Sequence, residues 1–327
     1  MPGGPRIGLP GPTGPGTRPP GPSGPGTVAD QSAPSSSVLD LLTPSGWQDY
    51  ELLDSGQGRK LERFAAYVLD RPEPNALWRR RLPPERWREA DARFEVAAEG
   101  GQGEWSFHRP VPERWEMRYQ PLGLRLHAAC RPFRHVGVFP EQAAHWVWLV
   151  DRLKAAGQPA TVLVLFGYTG LATLALARGG AAVVHVDASK PTMAWARDNA
   201  RLSNLEERPI RWLLDDALAF VQREARRGHR YDGIVMDPPA YGRGPKGETW
   251  RFQSSLPQLI EACADVLAPD PLLFLVNAYA VPASATMLRN LVQDLVPRRE
   301  GLEAGELAVE GGGRTLATGI FARWAAV

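Results

Sequence analysis

The fold is decided by residues 162–180, which read "VLVLFGYTGLATLALARGG". The stretch begins with branched apolar residues, breaks at Gly-Tyr-Thr-Gly (residues 167–170), and continues with the apolar spacing of a helix. A buried strand that turns directly into a helix is the first half of a βαβ unit. Glycines in that turn allow close approach of a ligand, although the same spacing is also compatible with a tight turn that binds nothing.

Apolar strands and amphipathic helices alternate downstream of this turn. Segment 139–157, "FPEQAAHWVWLVDRLKAAG", precedes the first strand and predicts a helix, with proline in its first turn and glycine at its end. This alternation predicts an α/β fold with an open, mostly parallel sheet and helices on both faces, whose ligands bind at the carboxyl ends of the strands. The strands are predicted at 161–166, 182–187, 210–214, 231–237 and 271–277.

Three regions follow from composition along the chain. Residues 1–37 are rich in Pro and Gly and poor in apolar side chains, which predicts a disordered tail. Residues 38–131 hold short alternating runs between Pro- and Gly-marked turns, which indicates a small β-rich N-terminal domain. Residues 132–327 form the predicted α/β domain.

The overall charge gives little indication of a partner. The 327 residues are 43% hydrophobic and 23% charged, with a formal net charge of only +2. Local basic runs interleaved with aromatics could hold the phosphates and bases of a nucleic acid, but each could equally be a solvated charged face. These runs contain Arg79, Arg80 and Arg81, then Arg226 and Arg227, then Arg243 and Lys246.

The two cysteines, Cys130 and Cys263, match neither a disulfide framework nor a metal site. No signal peptide is apparent, and no window reaches the ~18 apolar residues that a membrane-spanning helix needs. We therefore predict a cytoplasmic protein without a bound metal or membrane partner.

Acidic residues follow the second and third predicted strands. Asp187 lies twenty positions after Gly167, where a carboxylate can accept hydrogen bonds from the hydroxyls of a ribose. Asp215 or Asp216 could accept a hydrogen bond from an adenine amino group. Each acid could instead cap the helix that follows, and Asp187 could simply be an exposed loop residue.

The fourth predicted strand ends in "DPPAYGRG", which contains Asp237, Pro238, Pro239 and Tyr241. Prolines fix the backbone and lack an N–H, so this turn presents carbonyls and a carboxylate to a donor on a flat heterocycle. Tyr241 could stack on such a ring. Alternatively, the segment is a Pro-rich turn after a strand and has no binding role. A nicotinamide-binding loop would show G-x-G-x-x-G, which this chain lacks.

Taken together, "LFGYTG", "VDAS", "DDA" and "DPPAYGRGPKGE" resemble the class I S-adenosylmethionine-dependent methyltransferases, in particular bacterial large-subunit ribosomal RNA methyltransferases. The resemblance implies a Rossmann-like sheet, S-adenosylmethionine as cofactor, and ribosomal RNA as partner. It also implies that Asp237, Pro238, Pro239 and Tyr241 frame the target group. The cofactor residues that it implies are Phe166, Gly167, Thr169, Gly170, Asp187, Ser189, Asp215 and Asp216, with Glu141 and Gln142 from the preceding "GVFPEQ".

Methylation of carbon 5 of a pyrimidine needs a cysteine thiolate at a strand end. Asn277 and Tyr279 stand where that cysteine is expected in relatives of this kind. We therefore predict transfer to a base nitrogen, with guanine favoured and Asp237 accepting or orienting its proton. A small-molecule or protein acceptor, and a non-catalytic RNA-binding role, remain alternatives.

Overall fold

The computed structural model describes residues 39–96, 103–298 and 300–327. Residues Leu39–Val327 form one compact unit. The predicted tail, residues 1–37, lies outside the described residues. The division at residue 131 into two domains stays a prediction.

The part of the chain upstream of residue 131 is mostly β-structure, as predicted. A short helix α1 (Pro84–Arg88) interrupts these strands, and a 3-10 turn occupies Gln120–Leu122. The strands are β1 (Asp40–Leu42), β2 (Tyr50–Gly56), β3 (Arg59–Phe64), β4 (Tyr67–Pro72), β5 (Ala92–Val96), β6 (Gly103–Phe107), β7 (Trp115–Tyr119) and β8 (Leu124–Ala128).

Strands and helices alternate downstream of a 3-10 turn at Pro140–Gln142. The helices are α2 (Ala143–Ala156), α3 (Leu171–Arg178), α4 (Lys190–Leu202), α5 (Ala217–Arg226), α6 (Phe252–Ala264) and α7 (Ala285–Gln293). The strands are β9 (Thr161–Leu165), β10 (Ala182–Asp187), β11 (Ile210–Leu214), β12 (Gly233–Met236), β13 (Tyr241–Arg243), β14 (Thr249–Arg251), β15 (Leu273–Tyr279), β16 (Leu302–Gly311) and β17 (Arg314–Ala325).

The centre of the sheet confirms the predicted α/β fold. Strands β11, β10, β9, β12 and β15 lie side by side in that order and are all parallel. All four residues 162–165 of β9 are buried, because helices cover both faces of a parallel sheet. The carboxyl ends of these strands meet at one edge, which is where a ligand is expected.

A C-terminal hairpin, β16 and β17, extends this sheet and was missed in the sequence analysis. Strand β17 pairs antiparallel with the whole length of β15, and β16 pairs antiparallel with β17. Gly311 at the end of β16 then pairs with Leu52 of β2, where a Cβ on Gly311 would lie 1.8 Å from the Leu52 carbonyl oxygen. Strands β2 to β6 therefore continue the same sheet, which has thirteen strands among the described residues.

One hydrophobic core joins the upstream strands to the α/β part. Leu52 of β2 and Leu126 of β8 belong to the same buried cluster as Trp146 of α2 and Leu174 of α3. Trp146 is 1% exposed, and burying a side chain of this kind stabilises a fold by roughly 2–3 kcal/mol. This shared core fixes the segment before β9 against the edge of the sheet.

Candidate functional site

A narrow cavity of about 40 Å³ lies at the carboxyl edge of the parallel sheet. The ends of β9, β12 and β15 and the turn before α2 supply its walls. Five residues predicted for the site line it, namely Gln142, Phe166, Gly167, Thr169 and Asp237. The other predicted residues lie outside its walls, namely Glu141, Gly170, Asp187, Ser189, Asp215, Asp216, Pro238, Pro239 and Tyr241.

The turn after β9 has an unusual backbone. Phe166 and Tyr168 both adopt positive φ angles, 55° and 48°, which are uncommon for bulky non-glycine residues. Gly167 between them lies against the buried ring of His185, and a Cβ there would come within 2.2 Å of that ring. Glycine is therefore required at residue 167 by the close approach of β10.

His185 is a structural support beneath that turn. Its Nδ1 lies 2.8 Å from the hydroxyl of Thr173. Burial lowers the pKa of His185 to about 3, so the ring is neutral at physiological pH. His185 was not predicted as a site residue, because a histidine inside an apolar strand gives no signal of what lies above it.

Asp187 joins the turns that follow β9 and β10. Its carboxylate accepts hydrogen bonds from the backbone N–H of Tyr168 at 2.8 Å and of Ser189 at 2.8 Å. The hydroxyl of Thr192 donates to the same carboxylate at 2.9 Å. Two carboxylate oxygens offer about four acceptor positions, so one remains for a ribose hydroxyl. This donor and acceptor chemistry fits the ribose of S-adenosylmethionine.

Ser189, Asp215 and Asp216 all have local partners. Ser189 caps α4, and Asp216 caps α5 by accepting a hydrogen bond from the Ala219 N–H at 2.9 Å. Asp215 pairs with Arg223. The N-cap alternative raised for Asp216 is therefore what the structure contains, and adenine contacts from either acid stay a prediction.

Asp237 is held by a residue from the opposite wall of the cavity. Gln142 Nε2 donates a hydrogen bond to Asp237 Oδ2 at 2.6 Å. Burial raises the pKa of Asp237 to about 6, and the nearby negative charge of Glu141 adds to this effect. A carboxylate with that pKa can exchange a proton near neutral pH.

Asn277 and Glu141 flank this pair. Asn277 lines the same cavity, and its Oδ1 is buried without a hydrogen-bond partner among the described residues. A donor such as the ammonium group of S-adenosylmethionine would satisfy this oxygen. Glu141 is only 4% exposed and lies beneath the cavity wall, where burial raises the pKa of its carboxyl although Lys60 opposes this.

The turn after β12 leads into the hairpin of β13 and β14. Trp250 Nε1 donates to the carbonyl of Pro239 at 2.7 Å, and its ring lies 4.7 Å from that of Phe166. Tyr241 is 52% exposed, with the Arg251 guanidinium 6.0 Å from its ring. The hairpin thus anchors Pro239 and leaves Tyr241 accessible at the surface.

Several cavity residues were missed in the sequence analysis. Gly137 accepts a hydrogen bond from the Thr169 hydroxyl at 2.7 Å, which ties the turn after β9 to the segment before α2. Trp146 and Phe139 complete the wall on that side. Asn277 had been noted only as the position of a missing cysteine, although a polar residue inside "LFLVNAYA" could have indicated a cavity.

The predicted basic residues fall into two groups. Arg80 stacks on Trp87 at 3.8 Å, Arg81 donates to the Gly312 carbonyl at 3.0 Å, and Arg227 pairs with Glu224 at 3.1 Å. These three side chains have partners within the protein, which neither the nucleic-acid interpretation nor the solvated-face alternative predicted. The exposed remainder are Arg79, Arg226, Arg243 and Lys246.

Within residues 39–96, 103–298 and 300–327, His, Cys, Asp and Glu side chains nowhere form a group of three or more that could hold a metal ion. Among the helices described above, none is long and apolar enough to cross a membrane.

The family model described as S-adenosylmethionine-dependent methyltransferase matches residues 93–288, which include the cavity and all the strand-end acids. The chain is also similar to the crystal structure of a SAM-dependent methyltransferase from Agrobacterium tumefaciens. The two share 41% sequence identity at a TM-score of 0.83, over 89% of this chain and 94% of the other. The chain belongs to the S-adenosylmethionine-dependent methyltransferase family.

Curated relatives match this chain over part of their own length. A ribosomal RNA large subunit methyltransferase K/L from Chromohalobacter salexigens is 32% identical over 181 residues, which is 55% of this chain and 24% of the relative. A ribosomal RNA large subunit methyltransferase K from Neisseria meningitidis is 33% identical over 129 residues, 38% of this chain and 36% of the relative. The matched region thus spans about a quarter of the first relative and about a third of the second.

Proposed function

We propose that this methyltransferase modifies a base nitrogen of large-subunit ribosomal RNA, with guanine as the favoured base. The observation that carries the proposal is the partly buried, hydrogen-bonded pair of Asp237 and Gln142, which places a carboxylate acceptor at the carboxyl edge of the sheet. The names of the curated relatives support ribosomal RNA as the acceptor. Such an acceptor agrees with the cytoplasmic location predicted from the sequence.

S-adenosylmethionine, when bound, supplies a methyl group on a positively charged sulfonium. The protein must therefore mainly orient the acceptor and exclude water. Asp237 accepts the N–H of the acceptor base, and Gln142 fixes the direction of the carboxylate. Because the pKa of Asp237 is about 6, the carboxylate is ionised at pH 7 to 8 and can take the proton that the nitrogen loses.

The cysteines support nitrogen rather than carbon 5 as the target. Burial raises the pKa of Cys130 to about 12, and burial raises the pKa of Cys263 well above its usual value. Neither side chain lines the cavity that contains Asp237. A thiolate nucleophile is therefore disfavoured at both positions.

Exposed cations near the site support an RNA partner. Arg243 and Lys246 lie in the hairpin that follows Pro239, adjacent to the exposed ring of Tyr241. A few phosphate contacts of this kind would give a salt slope of roughly 0.7 to 0.9 per contact. Because the net charge is small, we do not expect strong non-specific binding to RNA.

The test is mass mapping of ribosomal RNA from a strain that lacks the gene, complemented with the parent chain or with Asp237→Ala. We expect one large-subunit nucleotide to lose its methyl group in the deletion strain and to regain it only with the parent chain. A variant with both Cys130→Ser and Cys263→Ser serves as the matched control and should restore the modification. An unchanged ribosomal RNA in the deletion strain would contradict the proposal.

A further inference from the structure

A second cavity of about 410 Å³ lies beside the end of β15. This volume falls in the range of small-molecule sites. Tyr279 lines it, whereas Phe139 lines the first cavity, and the centroids of these two rings are 5.6 Å apart. The two cavities are therefore neighbours across one pair of aromatic rings.

A buried carboxylate, Glu73, lines this second cavity. Glu73 is 2% exposed, and its Oε2 has no hydrogen-bond partner among the described residues. Lys60 Nζ is 3.3 Å from that oxygen, and the backbone N–H of Asn75 is a distant 3.4 Å from Oε1. Buried carboxylates normally have their acceptor positions filled, whereas Glu73 keeps unfilled acceptor capacity beside the cavity.

The neighbouring buried carboxylate, Glu62, has hydrogen-bond partners of the kind that Glu73 Oε2 lacks among the described residues. Glu62 accepts hydrogen bonds from the Tyr50 hydroxyl at 2.9 Å and from Arg71 Nε at 2.8 Å. Lys60 lies between the two acids, with Nζ 3.7 Å from Glu62 Oε1. The cation therefore compensates the charge of Glu73 without filling its hydrogen-bonding capacity.

The same cavity offers flat surfaces beside that carboxylate. The Arg134 guanidinium lies 5.1 Å from the centroid of the Tyr279 ring, and both residues line the cavity. The His135 ring also contacts Tyr279 edge-on, with the two ring centroids 5.4 Å apart. Single-stranded RNA bases stack on aromatic rings and guanidinium planes while their edges are read by polar groups.

We propose that the second cavity binds the base next to the methylated nucleotide, and that Glu73 selects guanine there. A guanine edge presents two adjacent donors, N1–H and the N2 amino group, which match the two oxygens of a carboxylate. Adenine and cytosine present one amino donor each, so they match it less well. This inference rests on the proposed function, because it assumes a nucleic-acid acceptor at the first cavity.

The test measures binding of guanosine, inosine and adenosine 5′-monophosphates to the full chain saturated with S-adenosylhomocysteine, by isothermal titration calorimetry. Inosine lacks the N2 amino group, so it removes one of the two donors. We expect guanosine monophosphate to bind at least about fivefold more tightly than the other two. Glu73→Gln should remove this preference while S-adenosylhomocysteine affinity stays unchanged.

Glu306→Gln is the matched control, because Glu306 also lines the cavity but is exposed. It should keep the preference for guanosine monophosphate. If Glu73→Gln does not fold, Glu73→Asp retains the charge opposite Lys60 and withdraws the carboxylate by one methylene. That variant should also lose the preference.

Equal affinity for the three nucleotides in the parent chain, or a guanine preference that survives in folded Glu73→Gln, would overturn the inference. Methylation of ribosomal RNA is assayed separately on the same preparations. Ribosomal RNA methylation without a Glu73-dependent preference refutes the second cavity alone. A Glu73-dependent preference without ribosomal RNA methylation refutes only the proposed acceptor.

Discussion

Replacing Asp237 with asparagine tests the acceptor site and the energetics of its carboxylate together. Burial raises the pKa of Asp237 from 3.8 to about 6, so folding disfavours the ionised form. One pKa unit is about 1.4 kcal/mol, so the ionised carboxylate lowers stability at pH 8 by roughly 3 kcal/mol. Asparagine has the same shape, carries no charge and can still accept a hydrogen bond from Gln142. We therefore expect Asp237→Asn to abolish methyl transfer and to raise the free energy of unfolding.

The sign of this effect depends on pH. Below both pKa values the parent residue is protonated in the folded and the unfolded chain, so the stability difference disappears. The gain of up to roughly 3 kcal/mol in the variant should therefore shrink between about pH 6 and pH 4. The methyl-transfer rate of the parent should fall over the same interval, as the acceptor carboxylate becomes protonated.

Urea unfolding of both chains at pH 8 and pH 4, with the transfer rate measured in parallel, checks this reasoning. The matched control is Asp216→Asn, because asparagine and aspartate cap a helix equally well and α5 should keep its stability. A variant that is less stable than the parent at pH 8, or a stability gain that does not change with pH, would refute the argument.

Three further predictions concern the cofactor turn and the N-terminal tail. Asp187→Ala should weaken S-adenosylmethionine binding at least about tenfold in calorimetry, because hydrogen bonds to a charged group are worth roughly 1.5–3 kcal/mol each; unchanged affinity in a folded variant would contradict the ribose assignment. Gly167→Ala should lower the melting temperature, since the added Cβ would lie 2.2 Å from the His185 ring; an unchanged transition would show that the turn can shift. Removal of residues 1–37 should leave folding and methyl transfer intact in thermal-unfolding and activity measurements, and loss of either would show that the tail contributes to the compact unit.

Local signals explain which parts of the fold could be predicted. The buried run of β9, its glycine turn and the apolar face of α3 are contiguous in sequence, so strand, turn and helix were predicted correctly. The C-terminal hairpin was not predicted, because β17 is defined by its pairing with β15. Local periodicity does not reveal which strands pair with one another.

The candidate site likewise contains some residues that could be predicted from the sequence and others that could not. Asp237 was identified because the Asp-Pro-Pro turn follows a strand, yet its partner Gln142 lies 95 positions away and was expected to contact the cofactor. Glu73 gave no signal, since a glutamate among prolines reads as an exposed turn residue. Its neighbours are distant in sequence, such as Lys60 of β3 and Tyr279 of β15, and only the tertiary structure brings them together.

The position of β17 has a consequence for folding during synthesis. Strand β17 is the last described strand of this sheet along the chain, and it lies between β15 and β16. Among the described residues, the upstream strands join the α/β part of the sheet through β16, so the continuous sheet cannot form until β17 has left the ribosomal exit tunnel. The edge of β15 that β17 covers stays unpaired until then, and this edge is where premature association between nascent chains would begin.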